Sequence, residues 1–466
     1  MKVLFANLPT FKNTGSFNRP IRFPTFNYAT PVLHPPLLLA YAAAYIRSKN
    51  HSIGLIDAQA DSIDVNNFVE EVKDFAPDYI VCETSTPSFF TDVKVVKLIK
   101  EQLRGIKAVF LGSHISALPN ECLKSDGIDA GVVGEYEESL LEYIENGPED
   151  TKGIAYRENG HVVVNERRNY IKDLDSLPIP ARDMLPNYKY FDPILKNPFT
   201  FILGGRGCPY QCIFCNWPQT ISGRRYRVRS PKNIVNEIEY ILENYKFKSI
   251  LFNDDTFTAN RSHAIAVCDE VLHRGLRFDW ACYARADTDD EELLKKLKRA
   301  GCYLLKVGVE SSNQAILDGV KKGYRVENIK RGLKRMLDIG FHVHATFVIG
   351  LPGETKETIK ETVNFAIELN PTTVQFSSAI PYPGTEFYEL LNKNGDIIAN
   401  NWEEFMPLQP IFKYPNLSSE ELMDSVKQAY RQYYLRPKYV KIAFTEMLTQ
   451  PRVLMGNAKK LIQLVW

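Results

Sequence analysis

No stretch of this 466-residue chain is both apolar and long enough to cross a bilayer. Nothing at its start reads as a secretory leader, so a cytoplasmic protein is expected. Excess charge of one sign is missing as well. Against 57 Lys and Arg stand 56 Asp and Glu, and a net charge of +1 argues against a nucleic-acid binder. A disulfide framework is also lacking. Five of the eight cysteines (Cys82, Cys122, Cys268, Cys282 and Cys302) are scattered through apolar strand and helix patterns and read as reduced core residues. Apolar residues, in contrast, make up 44% of the chain, enough for large cores and too many for disorder. The length suits two or three domains.

The other three cysteines form a cluster. Gly207-Cys208-Pro209-Tyr210-Gln211-Cys212-Ile213-Phe214-Cys215-Asn216 places them at C-x3-C-x2-C spacing, after the apolar run 201–203 and the flexible 204–207. That is a strand ending in a loop that curls three sulfurs around one centre. A structural zinc site wants a fourth ligand close by, and the next candidates, His263 and Cys268, are about fifty residues on. A disulfide leaves one thiol over. Three thiolates on a 4Fe–4S cluster leave one iron open to a substrate, and this reading is preferred.

Residues 1–148 alternate short apolar strands (3–5, 52–56, 79–82, 108–111, 131–133) with helices (37–46, 69–75, 93–103, 137–144). That pattern predicts a doubly wound parallel sheet of Rossmann type, with ligands at the strands' carboxyl ends. Those ends carry Thr84, Ser85, Gly112, Ser113, His114, Gly134 and Glu135, small or polar residues suited to a large polar cofactor. Residues 149–198 are expected to form a hairpin around Asn159-Gly160 and then a linker with five prolines. From 199 to about 400 strand–helix alternation resumes, with strands at 249–252, 280–284, 303–309, 343–349 and 374–379. Ser230 reads as an N-cap, and 288–291 as a capping box. Asp254, with Asp255, follows the second strand of this half, either binding a ligand or capping the next helix. Arg285 follows the third, free for a carboxylate or paired to a neighbouring Asp. Glu310 follows the fourth. Glu354 reads as a helix cap in a Gly/Pro turn, and Tyr382 as a cavity residue. No catalytic acid or base is assigned. Residues 401–466 form a helical tail, aromatic and basic from 429, which suggests either a cap on the barrel or peripheral contact with a membrane surface.

The cysteine run resembles the cluster motif of the radical S-adenosylmethionine superfamily. The resemblance implies a partial (β/α)6 barrel and a 4Fe–4S cluster on Cys208, Cys212 and Cys215. It further implies S-adenosylmethionine on the fourth iron, a 5′-deoxyadenosyl radical, and an external reductant such as flavodoxin or ferredoxin. It puts Phe214 near the adenine, although the residue reads equally well as core, and gives Glu310 to S-adenosylmethionine, for which Asp254 and Arg285 are further candidates by their place at strand ends. Residues 35–41, 55–58, 111–116 and 133–137 resemble the cobalamin-binding domain that precedes many radical enzymes, and 177–183 resembles that subgroup's connector. This implies cobalamin held by the strand-end loops. His114 either touches the corrin or caps its loop. D-x-H-x-x-G is missing after the first strand, so a base-off cobalt without a protein imidazole is expected, unless the domain has lost its cofactor. Ser113 stands where the family more often has a second glycine.

In this subgroup the expected reaction is cobalamin-dependent methylation of an unactivated carbon, with a small-molecule or lipid-like substrate. The alternative is radical ring contraction or carbon–carbon bond formation without methyl transfer. A non-catalytic iron–sulfur carrier has no use for the Asp254 and Glu310 loops. A methylthiotransferase wants a further cysteine-held cluster in the N-terminal domain, which offers only Cys82 and Cys122.

Overall fold

The computed structural model describes residues 1–11, 16–19, 25–27, 32–407, 409 and 411–439. Its N-terminal sheet contains β1 (Lys2–Asn7), β2 (Ser52–Asp57), β3 (Tyr79–Glu83), β4 (Lys107–Leu111), β5 (Ala130–Val132), β6 (Ile154–Glu158) and β7 (His161–Val164) in the order β2-β1-β3-β4-β5-β6-β7. The first five run parallel. In β3 every residue is buried and in β1 all but Lys2, as expected where helices cover both faces of a sheet. The helix Leu37–Ser48 packs closely because its buried face is largely alanine.

The hairpin expected in the linker instead belongs to this sheet. β6 pairs antiparallel with β5, and β7 with β6. β5 is only three residues long, and the hairpin covers an edge that would otherwise stay open. Asn159 and Gly160 both take positive φ, as a tight two-residue turn requires.

The second sheet contains β8 (Phe199–Ile202), β9 (Ser249–Phe252), β10 (Trp280–Arg285), β11 (Cys302–Glu310), β12 (His342–Ile349) and β13 (Thr373–Ser378). All are parallel and paired in chain order, with β8 and β13 as the two edges: a partial barrel of six strands. Two local readings need correction. Asp290, not Thr288, caps the helix Glu291–Arg299, accepting from Leu293 N at 3.0 Å, while Asp289 is engaged by Arg331 and Arg335. Glu354 does not cap the helix Lys356–Leu369, a role Thr355 fills. Its carboxylate instead turns back to accept from Gly350 N and Leu351 N, closing the turn itself.

The Pro-rich connector is pinned by Arg182, wholly buried, whose guanidinium lies 2.7 Å from Glu237 on the helix Pro231–Asn244. Arg229 meets the other oxygen of the same carboxylate. In the tail, the helix Ser419–Tyr434 caps the barrel. Tyr433 donates to Pro371 O at 2.8 Å and Tyr434 to Val374 O at 2.8 Å. Residues 440–466, on which the expectation of membrane contact largely rested, lie outside the described residues. Among the described residues no helix is long and apolar enough to cross a membrane.

Burial alone would raise the Glu237 carboxyl, but Arg229 and Arg182 hold it below its ordinary value of 4.5. Glu237→Gln should therefore destabilise the protein by about 3–5 kcal/mol in urea unfolding, because it leaves two buried guanidiniums without a counter-charge. The native pair contributes fully above the ordinary carboxylate range and is lost as pH falls through the depressed value. Stability of the Gln variant should accordingly fall less steeply with acid than that of the native protein.

Candidate active site

The cysteine loop begins where β8 ends. Gly207 takes φ +88°, and a Cβ there would sit 2.3 Å from Arg225 O, so only glycine lets the loop pass. Backbone bonds then fix the loop: Cys208 N donates to Gly223 O (3.1 Å) and Ile213 N to Val320 O (3.1 Å). Side chains secure the rest. Arg224 donates to Tyr210 O and to Cys212 O, the latter at 3.2 Å, and Gln219 Nε2 donates to Ile213 O (3.0 Å) and Cys215 O (2.8 Å). Cys208 and Cys212 are buried and Cys215 is half-buried. Burial, then the Asp255 charge, pushes the Cys208 thiol up.

Among the described residues no three His, Cys, Asp or Glu side chains gather as ligands of a single ion. The ligands of a four-iron cube each bind a different iron and stand further apart. The donor set fits such a cube: three thiols on one loop, with the cations Arg224, Arg285 and Lys322 beside it, suit a cluster whose charge with three thiolates is negative.

Of the residues expected to serve S-adenosylmethionine, Glu310 is the most distinctive. It takes φ +69° where the register of β11 against β12 slips between Gly308 and Glu310. Such strain in a non-glycine residue costs on the order of 1–3 kcal/mol and clusters at functional sites. Its carboxylate meets Lys322 Nζ at 2.6 Å, both side chains are largely buried, and that ammonium lies 6.0 Å from the Phe214 ring. Phe214 itself is buried against the barrel core. Lys322 escaped the sequence reading because Lys321-Lys322-Gly323 looks like an ordinary solvated turn.

Asp254 is buried and pushed up to about 6 by desolvation. It accepts from Tyr226 Oη (2.7 Å) and Gly204 N (2.9 Å), which ties it to the start of the cysteine loop. Asp255 accepts from Ser222 Oγ at 3.0 Å. Neither aspartate caps the next helix, Arg261–His273, whose N-cap is Asn260. Arg285 pairs with its neighbour Asp287 through two bonds of 2.8 Å, and its guanidinium lies 3.8 Å from the Tyr210 ring centre, in the cysteine loop.

At the N-terminal strand ends, Thr84 Oγ1 donates to Asp92 (2.8 Å), and Ser85 and Ser88 share a hydroxyl bond of 2.9 Å. Asp92 also holds the wholly buried Arg19 at 2.6 Å, a pair with no local signal in the sequence. Gly112, at φ +121°, lies so close to Thr84 that a Cβ would sit 2.1 Å from its carbonyl oxygen. Ser113 starts the short helix Ser113–Ala117. His114 does not cap the loop with a hydrogen bond. Its ring lies between Phe89 (4.8 Å) and Trp402 (5.3 Å), and burial lowers it to about 3. Gly134 N donates to Ser116 Oγ at 3.1 Å. Glu135 reaches across to Arg206 (3.3 Å) and Arg227 (2.9 Å) of the barrel half.

Two buried groups at these strand ends lack partners among the described residues: both ring nitrogens of His114, and Oε2 of Glu83, whose other oxygen accepts from Tyr136 at 3.1 Å. Burial raises Glu83 to about 7. Unsatisfied polar atoms beside a close-set Gly112 fit a large amide-rich cofactor such as cobalamin. Between the two sheets runs a crevice lined by Leu38, Tyr136, Leu203, Trp217, Asn253 and Asp255, among others. The loop after β5 and those after β8 and β9 open onto it.

Comparison with known proteins agrees with this arrangement. Residues 202–366 match the radical SAM superfamily and 29–144 the B12 binding domain. The chain is 32% identical over 411 residues to an uncharacterized methyltransferase of Pyrococcus horikoshii, covering 87% of this chain and 88% of that protein. It is 28% identical over 443 residues to the anaerobic magnesium-protoporphyrin IX monomethyl ester cyclase of Rubrivivax gelatinosus, covering 92% and 79%. The radical S-adenosylmethionine methyltransferase TsrM of Kitasatospora setae shares the fold, with TM-score 0.68 at 19% identity over 91% of this chain and 81% of that one. With its three-cysteine loop on a six-stranded partial barrel behind a B12-type sheet, the chain belongs to the radical S-adenosylmethionine superfamily, in the branch of cobalamin-dependent methyltransferases that work with a 4Fe–4S cluster, S-adenosylmethionine and cobalamin.

Proposed function

We propose that the enzyme methylates an unactivated carbon of an apolar or lipid-like small molecule held in the crevice between the two sheets. The crevice itself carries this reading: Leu38, Leu203, Trp217 and Ile221 line it, its one cation Arg206 is taken by Glu135 and Glu137, and Asp255 accepts from Ser222 Oγ. An anionic substrate finds no free cation among them, while an apolar one gains by burial. When bound, the cluster and S-adenosylmethionine supply a 5′-deoxyadenosyl radical, and cobalamin supplies the methyl group.

The chain's own residues divide the remaining work. Cys208, Cys212 and Cys215 hold the cluster. Glu310, paired with Lys322, accepts hydrogen bonds from S-adenosylmethionine, and Phe214 packs by its adenine. Asp254 anchors the loop start through Gly204 N. The loops at Thr84, Gly112 and Gly134 hold corrin amides. Apolar walls exclude water from the radical. A flavodoxin- or ferredoxin-type donor supplies the electron, and the protein works in the cytoplasm. Radical ring contraction or carbon–carbon bond formation is the second reading, favoured by the likeness to a cyclase across 92% of this chain. S-adenosylmethionine with a trideuterated methyl group separates the two: methyl transfer carries the label into product, and ring formation does not.

Replacing all three cysteines by alanine should reduce iron from about four per chain to near zero, and iron that survives refutes the cluster assignment. Glu310→Gln should slow formation of 5′-deoxyadenosine at least about tenfold, since a charged hydrogen bond is worth about 1.5–3 kcal/mol. Unchanged turnover removes Glu310 from the site. Cob(II)alamin in the enzyme should show no nitrogen splitting from a protein imidazole in electron paramagnetic resonance. Such splitting contradicts the base-off assignment, and failure to retain any corrinoid favours the second reading.

A further inference from the structure

Both ends of the cysteine loop are held by the N-terminal domain. At the leading end, Arg206 stands two residues before Cys208. Its guanidinium meets Glu137 through bonds of 2.6 and 3.1 Å and Glu135 at 3.3 Å. These three side chains are all more than nine-tenths buried. Arg227, paired to Arg206 in a short antiparallel ladder, binds Glu135 through bonds of 2.9 and 3.0 Å and donates to Ser222 O at 2.9 Å. The Tyr41 ring, also N-terminal, lies 5.3 Å from Arg206. At the trailing end, Cys215 is the N-cap residue of the helix Asn216–Thr220, which packs on the helix Ser113–Ala117. Gly384 completes that joint. At φ +81°, it leaves a Cβ only 2.8 Å from Ala117 Cβ and 2.9 Å from Thr220 Cγ2.

A two-point guanidinium–carboxylate contact fixes a plane as well as a distance, and in a buried setting the charge cannot turn to water instead. We propose that Glu137, supported by Glu135, is a positioning residue for the cluster. Acting through Arg206, it holds the cysteine loop in register, so that the B12-binding domain is a structural part of the iron site. The inference rests on the cluster reading above.

The test uses anaerobically reconstituted holoenzyme carrying Glu137→Gln, Arg206→Gln, or both. The readouts are iron release to a chelator, the electron paramagnetic resonance spectrum of the reduced cluster, and retained corrinoid. Each single change should speed iron loss about tenfold or more, the usual scale for partners that orient metal ligands, and should alter the cluster spectrum while corrinoid stays bound. The double variant should be no worse than either single one, because both remove the same contact. Additive losses, unchanged iron release, or corrinoid lost in step with iron overturns the proposal. Should the charge variants fail to fold, Gly384→Ala disturbs the trailing end without touching a charge. It should accelerate iron loss likewise, and native-like retention overturns the proposal. Native protein that holds no iron fails the cluster reading itself, a different outcome from variants that behave like an iron-loaded native protein.

Discussion

An arginine stays protonated at any pH a protein meets, so burying one forces a carboxylate to follow it. Among the described residues four are buried in that way, and two of them, Arg182 and Arg206, tie the connector and the N-terminal domain to the barrel. Arg182, from the connector, and Arg229, at the barrel, converge on Glu237, while Arg206, from the cysteine loop, takes Glu137 across the domain boundary. Arg19 takes Asp92 at the N-terminal strand ends. None of these pairs tolerates the loss of one partner, and their bonds are directional. The mutual placement of sheet, connector and cysteine loop is therefore set by charge pairing as much as by the apolar cores on either side.

The same logic operates at smaller scale around the loop. Burial alone would lower Lys322, but Glu310 above all holds it well above its ordinary value. Arg285 keeps its aspartate and lends its face to Tyr210. Asp254 spends its hydrogen-bonding capacity on Tyr226 and a loop amide. The polar groups around the loop are largely committed to one another, whereas His114 and Glu83, at the strand ends of the B12-type sheet, keep buried atoms without a hydrogen-bond partner among the described residues.

Periodicity made most of the architecture legible in advance. The strand at Ser249–Phe252 has the bounds its apolar run implied, those expected at 280–284, 303–309 and 343–349 extend by a residue at one or both ends, and the one expected at 374–379 runs instead over Thr373–Ser378. Asn159-Gly160 announced its turn because only positive φ suits that position. The cysteine spacing announced its loop. Less legible was everything that depends on a partner far along the chain. The hairpin joins the sheet rather than the linker because β5 has an edge to cover. Glu135 finds Arg227 92 residues away. Asp290 caps its helix once Asp289 is taken by Arg331 and Arg335, which lie some forty residues on. Local pattern encodes element type, whereas which carboxylate meets which cation is decided only after the sheets have assembled.

The position of Glu135 and Glu137 upstream of Arg206 also bears on synthesis. A ribosome releases the carboxylates before the loop that needs them, so a folded N-terminal domain can stand ready as a template when the cysteines emerge. A barrel cut free of its forerunner would expose Arg206 without a counter-ion and lose the surface on which the Asn216–Thr220 helix rests. The two halves are thus poor candidates for separation into independent modules, and recombining barrels between relatives should succeed only when the acidic pair travels with them.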